Sequence, residues 1–120
     1  MEKIALIVED ELFIVLELED LLNEAGYDVD SSHPTVSSAL VWLETNKPDL
    51  AVIDYRLRDA TSEVLIVKLI EVGTPTIIYS GNDCPDERSD HRTAQFEWVS
   101  KPAPPEIIRA AINRATEKKM

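Results

Sequence analysis

Four short apolar runs in this chain each stop at residues able to do chemistry. Ile4 to Val8 ends on Glu9 and Asp10, and Leu50 to Ile53 ends on Asp54. Thr76 to Tyr79 ends on Ser80, and Phe96 to Val99 leads into Lys101. Three carboxylates brought into one crevice repel each other, and each is pushed toward its neutral form unless a cation relieves the repulsion. A hard divalent ion that takes oxygen ligands and keeps several waters meets that need, and Mg²⁺ is the natural choice. Lys101 adds a fixed positive charge and Ser80 a hydroxyl donor. Such a set suits phosphoryl transfer, where charge on the equatorial oxygens must be neutralised. Asp54 would be the nucleophile, forming an acyl phosphate. Taken singly, each residue is an ordinary turn former or helix cap at the end of a strand. The joint pattern favours a site.

The elements between these residues set how they can meet. Ile4–Val8 and Leu50–Ile53 are continuous apolar runs, as in strands buried on both faces. Leu12 to Ala25 has helical spacing through Ile14, Leu18, Leu21 and Leu22, and Gly26 stops it. Tyr27 and Val29 alternate with Asp28 and Asp30 as in an edge strand. Val36 to Asn46 and Glu63 to Val72 are helical, Thr76–Tyr79 and Phe96–Val99 are strands, and Pro104-Pro105 opens a last helix. Five strands separated by helix-length segments predict a doubly wound, flavodoxin-like parallel sheet in the order 2-1-3-4-5, with helices on both faces. Ligands in such sheets bind beyond the carboxyl ends of the strands, where Glu9, Asp10, Asp54, Ser80 and Lys101 fall.

The chain of 120 residues suffices for one domain, taken as residues 1–120, and is too short for two. Asp plus Glu number 23 against 12 for Lys plus Arg, a formal charge of -11. That balance argues against nucleic acid and against anionic membrane surfaces. One cysteine, Cys84, leaves no internal disulfide, and no run approaches the length of a membrane-spanning helix. A cytoplasmic location is expected.

The set Glu9-Asp10, Asp54, Ser80 and Lys101-Pro102 resembles the receiver domain of two-component response regulators, over nearly the whole chain. The resemblance implies that Asp54 is the phosphoacceptor and that Asp10 ligates Mg²⁺ directly, with Glu9 acting through water. It implies that the backbone carbonyl of Arg56 completes the metal shell, that Ser80 is the switch hydroxyl and Lys101 the lysine of the site. Gly81 falls where a small residue admits the phosphoryl group, and Trp98 falls at the switch aromatic. The implied function takes a phosphoryl group from a histidine kinase or phosphotransfer protein, then signals by protein contact or phosphorelay. Such a domain catalyses only its own phosphorylation and dephosphorylation, so it is not an enzyme in the ordinary sense.

Two alternatives stand beside this one. A metal-dependent phosphohydrolase with an aspartyl-phosphate nucleophile places a carboxylate general acid two residues after it, where this chain has Arg56. A phosphorylation-independent adaptor would have no need of the complete residue set. Three glycines in the chain leave no glycine-rich nucleotide loop. His33 and His91 lack metal-ligand spacing and are expected at the surface, and Trp42 is expected to pack. One helix face cannot bury all of Leu12 to Leu16, so Phe13 is expected to be exposed as part of a partner patch. The resemblance implies that the helix Leu12 to Ala25, with the last helix, is the kinase-docking face. Asn82 to Gln95 carries no strong apolar stripe and is expected to be a loosely ordered switch segment.

Overall fold

The two runs marked as doubly buried are β1 (Lys3–Val8) and β3 (Leu50–Ile53), and they pair side by side in the structure, a computed structural model. It describes residues 2–81 and 96–119. Between and after these strands come α1 (Leu12–Glu24), β2 (Tyr27–His33), α2 (Val36–Leu43), α3 (Glu63–Glu71), β4 (Thr76–Ser80), β5 (Phe96–Ser100) and α4 (Pro105–Lys119). The strands form one parallel sheet in the order β2-β1-β3-β4-β5, the expected doubly wound arrangement.

Strand alternation divides the core into two layers. Ala5, Ile7, Leu50, Val52, Ile77, Tyr79 and Val99 pack with α1 and α4 on one face. Leu6, Val8, Ala51, Ile53 and Ile78 pack with α2 and α3 on the other. Ile4–Val8 of β1 and all of β3 are therefore apolar toward both layers, which is why their pattern reads as a run and not an alternation. Gly26 ends α1 with φ of 94°, a left-handed conformation that costs glycine little. The hydroxyl of Thr35 accepts from the Ser38 N–H at 3.1 Å and caps α2.

Two boundaries and one burial differ from the sequence pattern. β2 runs on to His33, because Ser32 and His33 pair with Ile7 and Val8 after an irregularity in register. α2 stops at Leu43, and the Asn46 amide takes the Trp42 carbonyl at 2.9 Å in place of a further helical turn. His33 is buried, contrary to the surface expectation. Its ring nitrogens meet Ser31 at 3.0 Å and Ser38 at 2.7 Å, and Trp42 lies 5.9 Å away between ring centroids. Satisfying both nitrogens is what makes burial tolerable. Residues 82–95, on which the expectation of a loosely ordered switch falls, lie outside the described residues, as do Cys84 and His91.

Candidate functional site

Ladder hydrogen bonds extend past the strand ends and hold the chemistry-bearing residues by their own backbone. Glu9 donates its N–H to the His33 carbonyl at 2.9 Å, and Asp54 donates to Val8 at 2.9 Å. Lys101 donates to the Ser80 carbonyl at 2.9 Å. The sheet therefore fixes where these side chains begin, and the burial of Val8 and Ile53 just before them fixes how far they can drift.

Glu9, Asp10 and Asp54 each present a carboxylate oxygen within 4.8 Å of the other two. Lys101 sits between two of them, its Nζ 2.8 Å from Glu9 Oε1 and 3.2 Å from Asp54 Oδ2. The second oxygen of Glu9 accepts the N–H groups of Asp10 and Glu11, each at 3.1 Å. Glu9 thus anchors the turn into α1, whose first residues have no side-chain cap of their own. Burial pushes the Glu9 carboxyl above its usual pKa, and the Lys101 and Glu11 hydrogen bonds offset this only in part. For Lys101 burial works against the charged form. The bond to Glu9 and the charges of Glu9 and Asp54 outweigh it, so the ammonium is held above its usual pKa. The Tyr79 ring lies 5.6 Å from the same ammonium, and the Tyr79 hydroxyl accepts the Ala103 N–H at 3.2 Å beyond the lysine.

The remaining residues of interest surround this cluster. Ser80 is fully buried at the end of β4, and the neighbouring Gly81 is open, with nothing within 4 Å of a Cβ built there. The Arg56 N–H lies 3.4 Å from Asp54 Oδ1, which keeps that stretch of backbone beside the acids. Trp98 packs in the α2–α3 layer, its ring 5.4 Å from that of Tyr55, the residue following Asp54. Phe13 stands 86% exposed on α1.

Three residues had no signal in the sequence. Ser62 is buried and donates its hydroxyl to the Asp54 carbonyl at 2.5 Å, while its N–H reaches the Tyr55 carbonyl at 2.8 Å. Asp59 binds the start of α2, and Arg58 meets Asp10 at 3.7 Å. Those contacts join residues 7 to 48 positions apart and follow no local pattern.

A parallel sheet of this order, with acids after β1 and β3 and a lysine after β5, narrows the comparison to known proteins. No match came from curated protein sequences. Among solved structures, a CheY-like receiver domain protein from Methanospirillum hungatei superposes with a TM-score of 0.84 at 23% identity, covering 99% of this chain and 97% of that one. The receiver domain of the PhyR response regulator from Erythrobacter litoralis gives 0.83 at 24% identity, covering 97% and 91%. SdrG from Sphingomonas melonis gives 0.78 at 27% identity, covering 96% and 97%. The sequence profile of the response regulator receiver domain matches residues 5–113. Fold order and profile agree, and the chain belongs to the response regulator receiver domain family.

Proposed function

We propose that this domain is a phosphorylation-controlled signalling module whose acceptor is Asp54. The observation carrying the reading is the Lys101 ammonium, shared by Glu9 at 2.8 Å and Asp54 at 3.2 Å within a group of three carboxylates. The Lys101 ammonium and the exposed Arg58 guanidinium against three acids still leave a surplus of negative charge in a largely buried crevice. The donor set is all oxygen and suits a hard cation such as Mg²⁺. Asp10 and Asp54 would hold the ion, with the Arg56 carbonyl completing the set. Both Glu9 oxygens are already engaged, which fits a role for Glu9 through water. Bound there, the ion would supply positive charge to the oxygens of an incoming phosphoryl group.

The chain's own residues do the rest. A carboxylate oxygen of Asp54 attacks the phosphorus of a phosphohistidine on a kinase or phosphotransfer protein. An O–P bond forms as the P–N bond breaks, and its electron pair returns to the imidazole, which takes a proton from water. Lys101 is placed to leave Asp54 for the new phosphoryl oxygens, exchanging one ion pair for another. Ser80, two strands' width from Asp10 and buried at the end of β4, is the hydroxyl placed to follow. Output then passes by protein contact or phosphorelay, with Trp98 as the aromatic reporter. Nothing in the acidic surface charge favours nucleic acid, and no described helix is long and apolar enough to cross a membrane.

Incubation with acetyl phosphate and Mg²⁺, followed by intact mass measurement, tests the assignment. One acid-labile phosphate is expected, lost on chelation of the metal and in Asp54→Asn. A stoichiometric phosphate retained by Asp54→Asn would overturn it.

A further inference from the structure

Between Asp54 and α3 the chain makes a small hairpin. Arg56 and Thr61 form an antiparallel bridge, and the Leu57 N–H donates to the Ala60 carbonyl at 3.0 Å. Ser62 pins its base to the Asp54 and Tyr55 carbonyls. Asp59 pins its tip, accepting the N–H groups of Val36 and Ser37 at 3.0 Å each and the Ser37 hydroxyl at 2.7 Å. Arg58 therefore springs from a fixed point, and its Nε lies 3.7 Å from Asp10 Oδ2. Its side chain is 78% exposed where that of Asp10 is 21%. Among the described residues Lys101 pairs with Glu9 and Asp54, and Arg58 is the cation paired with Asp10.

We propose that Arg58 is a built-in counter-ion that competes with a divalent cation for Asp10 and so lowers the affinity of the site for that cation. The inference rests on the metal-site reading given above. As a source of stability the pair counts for little, because an exposed guanidinium in water gains almost nothing from one carboxylate. As a competitor it counts for more, because a unit positive charge beside the site opposes a doubly charged ion. At low ionic strength a charge at this range changes divalent affinity by about three- to tenfold, and salt screens most of it. The anchored tip makes the effect specific to position, since the backbone from which the arginine springs cannot move off without releasing the start of α2.

Calorimetric titration of the whole chain with MgCl₂ tests this, comparing the native protein with Arg58→Gln, Arg58→Lys and Arg109→Gln. Arg109 pairs with Glu24 at the far end of α1 and controls for net charge alone. Arg58→Gln should bind Mg²⁺ about three- to tenfold more tightly at ~0.02 M salt, with the gap nearly closed at ~0.5 M. Arg58→Lys and Arg109→Gln should bind like the native chain. Melting curves in chelator establish that each variant is folded. Native binding with no tightening in Arg58→Gln overturns the inference and leaves the metal site standing, as does equal tightening in Arg109→Gln. No binding of Mg²⁺ or Mn²⁺ to any of the four proteins overturns the metal site itself, and the inference with it.

Discussion

Replacing Lys101 by methionine keeps the aliphatic stem and removes the ammonium lying 2.8 Å from Glu9 and 3.2 Å from Asp54. The side chains of Glu9 and Asp54 are only 2% and 11% exposed, so both charges lose their partner in a place water hardly reaches. Breaking a buried pair from one side costs about 3–5 kcal/mol. Glu9 keeps two backbone N–H donors, which argues for the lower end, about 3 kcal/mol near pH 8. That is a large share of the ~5–15 kcal/mol that holds a domain folded.

The penalty should depend on pH in a definite direction. Burial already raises Glu9 above its usual 4.5 in the folded state, and the Lys101 hydrogen bond is the largest influence holding it down. In Lys101→Met the folded pKa climbs further while the unfolded value stays near 4.5. Between those values the folded state binds the extra proton, so stability falls as pH rises through the folded pKa and is fully present below the unfolded one. The cost of the substitution should therefore shrink as pH drops from about 8 to about 5, by ~1.4 kcal/mol for each unit that Glu9 is raised. Urea unfolding followed by tryptophan fluorescence at both pH values, with m unchanged, measures it. A penalty below about 1 kcal/mol near pH 8, or one that is the same at both values, would refute the account of Lys101 as the neutralising partner.

Phe13→Asp should change stability by less than about 0.5 kcal/mol, because the ring is 86% exposed. It should slow transfer from a phosphorylated kinase and leave acetyl phosphate labelling intact, and joint loss of both would indicate misfolding instead. Asp59 is held at a pKa of about 2, below its usual 3.8, chiefly by the Val36 N–H and then by Ser37. Its stabilising contribution is present above 3.8 and lost as pH falls through about 2. The gap in urea midpoint between the native chain and Asp59→Asn should close over that window, and a constant gap would contradict the cap.

The central strands were legible because burial on both faces leaves an unbroken apolar run, and in β1 and β3 the run stops where the carboxylates begin. The candidate acids and Lys101 were legible for the same reason, since strand ends are where a parallel sheet presents ligands. β2 was legible only as far as Asp30. Its continuation through Ser31, Ser32 and His33 is polar, and pairing with Ile7 and Val8 makes it a strand, a preference that no local pattern records. His33 misled in the same way. A histidine becomes a core residue when two serines find its nitrogens, and Ser38 lies on a different element. Arg58, Asp59 and Ser62 were illegible because Ser62 acts across the hairpin, and Arg58 and Asp59 act outward from it, on residues that the chain brings near only after folding.

The two-layered core has a consequence for how this sequence can change. Asp54 shares its parity with Leu50 and Val52 of the α1–α4 layer, and Tyr55 shares its own with Ala51 and Ile53 of the α2–α3 layer. Adding or deleting one residue within β3 would exchange them, presenting a phenol to Lys101 and sending a carboxylate toward Trp98. The same holds in β5, where Val99 faces one layer and Trp98 the other. Length variation in relatives of this chain should therefore accumulate in the connections and avoid the strands. Where a strand does change, it should change in steps of two, since a single step swaps the wet chemistry and the dry aromatic contact across the sheet.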